Sequence, residues 1–423
     1  MTTSKSRMRI TITNETIIAL IGLYCLAVVM GYGRFLFTAT LPDIMTQLSL
    51  TTTIAGYLAS INYIGYFIGA LIAMFVPHRL TWQMLMVWTI ISIGTTMLLF
   101  VPDMSLHLWY SIRLLAGIAS GVAMILSSTL VIQRFSSARR SVLSTLHYAG
   151  IGVGISASAL LTWFLLMLDY HFDVIWLVAG LSSLPLLWLL FAIRPAIAPT
   201  AASERLVPPH SDRRSSIQQT YINFKRALYE AIVGHGKSIA LLSASYVLAG
   251  FGYITSATFL PVMAAQRLTT QTYAGLLIWL VVGIFAMLSN PIWGALAKRI
   301  GEIKTLIGLT VLQALGMCLP IWFDGAFGLY ANAVILGSTF VGMVSMTLII
   351  IKNINPVYSN LLMGLATLAY ALGQFLGPLV TVALAGEDGN FNAGLLVAAI
   401  GLMVGLMLLL WFQRQSTITA EPA

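Results

Sequence analysis

The sequence predicts an all-α membrane protein of twelve transmembrane helices arranged as two six-helix pseudo-repeats. Three observations carry this reading. Of 423 residues, 59% are hydrophobic and only 8% charged, whereas soluble domains carry about 25% charged residues. Twelve apolar runs are long enough to cross about 30 Å of hydrocarbon, which takes about 20 residues of helix. The second six runs repeat sequence features of the first six in the same order.

The runs fall at about 16–42, 53–76, 82–101, 107–133, 142–168 and 173–193, then 239–265, 273–297, 303–323, 326–351, 360–385 and 391–412. The first run is too long for the apolar core of a secretory signal, and no small-residue cleavage pattern follows it. The organisation is therefore a first half over 1–193, a linker over 194–238 and a second half over 239–423. The linker opens on the Pro-, Ser- and Arg-rich stretch RPAIAPTAASERLVPPHSDRRSS, which reads as flexible. In its second part Ile217, Tyr221, Phe224, Leu228 and Ile232 recur at helical spacing. That pattern predicts an amphipathic helix on the inner membrane surface, and at the least a tether between the halves.

The charges sort by side. There are 22 Lys and Arg. With the N-terminus placed in the cytoplasm, nineteen fall in inside segments, and Arg267 alone falls in an outside loop. Arg34 and Arg113 lie within the apolar runs. This asymmetry follows the positive-inside rule and places both termini and the linker in the cytoplasm, at the cell inner membrane. The net charge of +9 is then a match to anionic lipid headgroups, and no nucleic-acid partner is implied.

The repeat is direct. GYGRFLFTATLP, starting at Gly31, aligns without a gap on GFGYITSATFLP, starting at Gly250, with Gly, Gly, Leu and Pro coinciding. The same offset pairs Ala55 and Gly56 with Ala274 and Gly275. Slightly larger offsets pair Tyr110 and Gly117 with Tyr330 and Gly337, and Leu146 and Tyr148 with Leu368 and Tyr370. Parallel halves of this kind are related by an axis along the membrane normal, with the binding site between them near the midplane.

Several segments resemble the Major Facilitator Superfamily over essentially the whole chain. RLLAGIASG (Arg113, Gly117, Gly121) resembles its fourth-helix motif, an arginine followed by glycines four apart. GALAKRIG (Gly294, Arg299, Gly301) resembles the loop motif between the second and third helices of a half, with Lys298 in place of the usual aspartate. At the matching place in the first half, FVPHRLTW keeps only Arg79. GQFLGP (Gly373, Gly377, Pro378) is similar to the glycine–proline pattern that antiporters carry in the fifth helix, but here it lies on the eleventh, and the fifth has GIGVG without proline. The GYGRF start with its LP resembles the YbfB/YjiJ-like branch. The resemblance implies alternating access by rocking of the two halves, a cavity lined by the first and fourth helices of each half, and gating or motif roles for these glycines, Arg299 and Pro378.

A charge near the bilayer centre costs roughly 2.5–3.5 kcal/mol on insertion scales, so Arg34 and Arg113 need a cavity or a partner. Counting from the ends of their runs puts both about 10–12 Å below the outer surface at 1.5 Å per residue. Their repeat counterparts are Tyr253 and Ala333, so the scaffold does not require them. A structural role for either is the bland alternative. All thirteen acidic residues fall at helix ends, in loops or in tails, which argues against a cationic-drug antiporter and favours an anionic solute. Tyr253, Tyr148, Tyr370, Asn62 and Gln374 are further candidates for the cavity. His147, inside the fifth run, is the candidate for a coupled proton, since histidine titrates near neutrality.

Nothing supports catalysis. There is no HExxH, no serine elbow and no phosphate loop after a strand. The two cysteines, Cys25 and Cys318, lie in separate runs and read as packing residues. No catalytic residue, cofactor or metal site is expected. The expectation is a secondary transporter, working as a monomer in the lipid bilayer on a small, anionic organic solute. The alternatives are an exporter of neutral or amphipathic compounds and a non-transporting receptor or scaffold.

Overall fold

The computed structural model describes residues 14–99, 101, 104–192, 194, 217–386 and 389–418. The described residues form helices and turns without strands. The first six helices are α1 (Asn14–Gln47), α2 (Thr52–Met74), α3 (Thr81–Leu98), α4 (Leu106–Ile132), α5 (Arg140–Leu166) and α6 (Phe172–Ala192). A short α7 (Ile217–Ile232) follows. The second six are α8 (Gly236–Arg267), α9 (Ala274–Ile300), α10 (Glu302–Trp322), α11 (Ala326–Ile354), α12 (Ser359–Ala385) and α13 (Asn392–Ile418). Twelve helices are long and apolar enough to cross a membrane, as the apolar runs predict. The ends differ by a few residues. α8 begins at Gly236, inside the stretch assigned to the linker, and α1 continues five residues beyond Pro42.

Pairing within the two sets of six is the same. In each, the second helix packs on the fourth, the third on the fourth, the first on the fifth and the third on the sixth. Across the sets, α2 packs on α12 and α9 on α5, so the second helix of each set meets the fifth of the other.

In lipid there is no hydrophobic force to drive helices together, and close van der Waals contact through small residues takes its place. The α2–α4 pair shows this. A Cβ on Gly65 would lie 2.2 Å from the Leu114 carbonyl oxygen, and one on Gly117 would lie 2.0 Å from the Asn62 carbonyl oxygen. Gly69 and Gly121 are equally closed in by Ile118 and Tyr66. The glycines of the fourth-helix motif are there because the two backbones touch. Gly373 does the same between α12 and α8, with its missing Cβ 1.9 Å from the Val247 carbonyl oxygen, and Gly377 lies against Ile254. Pro378 is accommodated inside α12. Gly301 closes α9 with φ +90°, in the left-handed region that glycine tolerates.

α7 docks on the protein at one end of the bundle. The Phe224 ring is 5.3 Å from the ring of Phe75 at the end of α2. Ala231 is buried, and its carbonyl accepts from the Asn355 side chain in the turn between α11 and α12. In the same turn Tyr358 donates to Glu230, which also accepts from Arg226 at 2.8 Å. These two partners hold the Glu230 carboxyl below the ordinary carboxylate range. α7 therefore ties the end of α2 to the α11–α12 turn. The stretch read as flexible lies, from 195 to 216, outside the described residues.

Candidate functional site

The segment that carries Arg34 is not an ordinary helix. Residues Ala27–Phe35 form a π-helical stretch inside α1, and the Leu36 amide donates to the Gly31 carbonyl, five residues back. Such wide turns cost regular hydrogen bonding and concentrate at functional sites. Here two glycines make room for it. A Cβ on Gly31 would lie 2.4 Å from Gly154 of α5, and one on Gly33 would lie 2.7 Å from Ser92 of α3. Pressed against α5 and α3, the widened turn offers Arg34 to the space between the halves.

There Arg34 is only 2% exposed. Its Nη2 donates to Oε1 of Gln374 in α12 at 2.6 Å. Its guanidinium carbon sits 4.4 Å from the ring centre of Tyr66 and 4.6 Å from that of Tyr63. Desolvated cation–π contacts can each contribute about 2 kcal/mol, which offsets part of the cost of burying the charge. Among the described residues no carboxylate shares the site, and Nε has no hydrogen-bond partner.

A cavity of about 360 Å³ extends from Arg34 toward the end of the bundle that carries α7 and the termini of the described chain. That volume lies in the range of small-molecule sites. Its deep wall combines Arg34 and Tyr66 with Tyr253, Tyr370 and Gln374, and Tyr148 faces it from α5. Ser144, Gly294 and Lys352 stand toward its outer lip. Arg34 and Lys352 are the cations among the described lining residues, and no Asp or Glu is among them. Beyond Arg34, away from the termini, the space is filled. Phe37, Leu41 and Ile44 of α1 and Phe259 and Leu260 of α8 are all buried. Tyr63 and Thr258 hydroxyls meet across the halves at 3.3 Å.

The structure thus brings together Arg34, Tyr148, Tyr253, Tyr370 and Gln374 of the sequence candidates. Arg34 and Tyr253, paired by the repeat, both line the cavity, as do the paired Tyr148 and Tyr370. Other candidates lie elsewhere. Arg113 and Asn62 are absent from the cavity wall and brace α4 against its neighbours. Arg113 Nε donates to the Leu58 carbonyl at 3.3 Å, its guanidinium covers the Phe37 ring at 4.2 Å, and Asn62 donates to the Arg113 carbonyl at 2.9 Å. The two arginines are not level either. Arg34 is thirteen residues from the end of α1 at Gln47, roughly 20 Å along the helix, and Arg113 only seven from the start of α4, roughly 10 Å. The reason is the continuation of α1 past Pro42.

His147 is fully buried, its Nε2 3.2 Å from the Ser128 hydroxyl of α4 and its ring close against Gly22 of α1. It lies beside Tyr148 but off the cavity wall. We expect His147→Gln to lower stability and to leave the pH profile of flux in place. A flattened profile in proteoliposomes would return His147 to a proton-coupling role. Gly117, Gly121, Gly373 and Gly377 are contact glycines, Arg299 is exposed at the end of α9, and Gly294 has open space on its Cβ side. Among the described residues no group of three His, Cys, Asp or Glu side chains could hold a metal ion.

Sequence reasoning missed Tyr63, Tyr66, Tyr246, Phe340 and Lys352. Weak signals existed. Tyr63 and Tyr66 are three apart and Tyr246 and Tyr253 seven apart, so each pair shares a helix face. Lys352 falls just past the apolar run 326–351, but α11 runs on to Ile354.

A family model described as "Uncharacterised MFS-type transporter YbfB" matches residues 26–410. A relative, the uncharacterized MFS-type transporter YceJ of Bacillus subtilis (strain 168), is 27% identical over 303 residues, 69% of this chain and 70% of that protein. Among solved structures, the in meso crystal structure of the POT family transporter PepTSo superposes with a TM-score of 0.72 at 12% identity, over 96% of this chain and 99% of that one. That likeness is one of fold.

Proposed function

Because the chain belongs to the family of YbfB-like MFS-type transporters, and is thus a multi-pass membrane transporter, we propose that it moves a small organic anion by alternating access, with Arg34 as the anchor for the anion. The observation that carries this is a buried guanidinium at the head of a cavity between the halves, held by neutral partners and by no carboxylate. A cationic cargo would meet repulsion there. A carboxylate would replace the amide oxygen of Gln374 with a charged acceptor, and charge-assisted hydrogen bonds are roughly twice as strong as neutral ones. Lys352 at the lip adds attraction for an approaching anion. The cavity is complete within one chain, which supports function as a monomer.

The test is a thermal-shift series on the purified protein with organic carboxylates, their amides and matching amines, since a ligand of the folded state raises its stability. Carboxylates alone should raise the melting temperature. Stabilisation by amides to the same degree would favour an exporter of neutral or amphipathic compounds. Stabilisation without flux in proteoliposomes would favour a receptor.

The positive-inside asymmetry supports placing the α7 end in the cytoplasm of the cell, with the protein in the inner membrane. On that reading the cavity is open inward and the outer half of the bundle is sealed. Cysteines at Ser49 and Ser105, in a background without Cys25 and Cys318, should then react with an impermeant maleimide on intact cells. A cysteine at Ser137 should react only after the inner face is opened, and so should one at Ser215, which lies outside the described residues. Labelling of Ser137 from outside would reverse the orientation.

A further inference from the structure

Arg34 is a charge that has to be carried through every crossing of the two halves. It sits where they meet, bonded at 2.6 Å to Gln374 of the second half. The cavity is its route to water, because Phe37, Leu41, Phe259 and Leu260 fill the space beyond it. Alternating access passes through an intermediate in which the cavity is closed on both sides of the site. There an unpaired guanidinium is a buried charge without a counter-charge, which is among the costliest arrangements in a protein interior. Gln374 and the rings of Tyr63 and Tyr66 are neutral, so they lessen that cost without cancelling the charge.

No described residue of the cavity wall supplies the missing negative charge, since none is Asp or Glu. The described carboxylate nearest in sequence is Asp43, nine residues further along α1 and roughly 14 Å away on the sealed side. His147 bonds to Ser128 off the wall, and protonating an imidazole only adds positive charge.

We propose that the protein is an obligate anion exchanger: its halves rock only while Arg34 carries an anion, so each organic anion that crosses one way is matched by one that crosses the other way. This rests on the anionic reading above and adds the mode of transport. A bound carboxylate brings the counter-charge into the closed intermediate and makes charge-assisted hydrogen bonds with the guanidinium. An empty carrier has no such partner and is held on the side where its cargo left. The brake belongs to this residue and not to the scaffold. The repeat places Tyr253 where the first half has Arg34, so a neutral side chain fits there.

Rocking can be read without a known cargo. Thr258 is buried on the sealed side, its hydroxyl 3.3 Å from that of Tyr63 across the halves, and it is absent from the cavity wall. A cysteine there, in a background without Cys25 and Cys318, becomes reactive only when the sealed side opens. In nanodiscs with saturating N-ethylmaleimide, opening limits the rate of labelling. The parent should label slowly and Arg34→Gln about tenfold faster or more, because the barrier loses an unpaired buried charge. Arg34→Lys keeps the charge and should stay slow. Gln374→Leu removes the bond across the halves and leaves the charge barer still, so it should be no faster than the parent. Acetate at 100 mM should speed the parent by about threefold or more and leave Arg34→Gln as it is, while acetamide, similar in shape but neutral, should speed neither.

Labelling of Arg34→Gln at the parent rate would overturn the exchange inference. So would a fast Gln374→Leu, because Arg34 would then be one end of a latch and its charge no brake. A parent protein indifferent to acetate would overturn it as well, whether or not the Arg34→Gln protein folds. In each case the anionic reading is decided separately by the thermal-shift series, where carboxylates would still stabilise the protein if only the exchange inference is wrong.

Discussion

Replacing Arg34 by glutamine is expected to weaken binding of an organic carboxylate by about 30-fold or more, with the protein still inserting and purifying as one species. Truncating one partner of a buried, hydrogen-bonded charge pair costs about 2–5 kcal/mol, and 2 kcal/mol is roughly 30-fold. Folding should survive because the guanidinium is an expense to the fold. It is 2% exposed, its Nε is unpartnered, and its repeat counterpart is a tyrosine. Arg34→Lys should fall between, since an ammonium keeps the charge but loses the two-donor fork. Arg113→Gln is the contrasting case. Its side chain bonds the Leu58 carbonyl away from the cavity, so it should lower the melting temperature and leave affinity nearly unchanged. The measurement is calorimetric affinity beside size-exclusion and thermal unfolding for each variant. If Arg34→Gln binds as the parent does, or if Arg113→Gln is the variant that loses affinity, the anchor has been placed on the wrong residue.

Gly117→Val should be strongly destabilising. Its Cβ would stand 2.0 Å from the Asn62 carbonyl oxygen, a main-chain atom of a helix that cannot swing aside as a side chain would. Overpacking typically costs 1–3 kcal/mol and occasionally more, and a clash with backbone belongs at about 3 kcal/mol or above. The α2–α4 contact would have to open along its length, with Gly65, Gly69 and Gly121 losing their close neighbours together. Gly294→Ala is the control, because nothing lies within 4 Å of the added carbon, and substitutions of that kind are usually within about 0.5 kcal/mol. Thermal unfolding in detergent reads both. A Gly117→Val protein as stable as the parent would mean that α2 and α4 are further apart than the structure places them.

The contrast between these two glycines shows how far motifs go. Both belong to patterns that resemble the superfamily, and in sequence each is simply a glycine in an apolar run. Whether such a glycine is a contact or a free position depends on what faces it from a helix far away in the chain. The same holds for the arginines. Arg34 and Arg113 are equally improbable in an apolar run, and their depths look alike when counted from run ends. One lines the cavity and the other braces helices, because a π-helical stretch turns Arg34 toward Gln374, 340 residues away, while Arg113 turns to α2.

By itself the sequence determined the number of spans, their order, the repeat and the asymmetry of charge. These follow from local quantities. The length of an apolar run is set by bilayer thickness, and a direct repeat survives as aligned residues such as Arg34 with Tyr253 and Tyr148 with Tyr370. The tertiary structure alone decided which polar residues share a cavity, where α7 docks, and that Tyr246, Tyr370, Tyr253 and Phe340 stack on one another. Those outcomes depend on rotation about each helix axis. A buried membrane helix is apolar nearly all round, so its sequence carries little of the amphipathic signal that fixes rotation in water-soluble helices. Here rotation was fixed by where glycines let one backbone approach another, at Gly31 and Gly154, at Gly117 and Asn62, and at Gly373 and Val247.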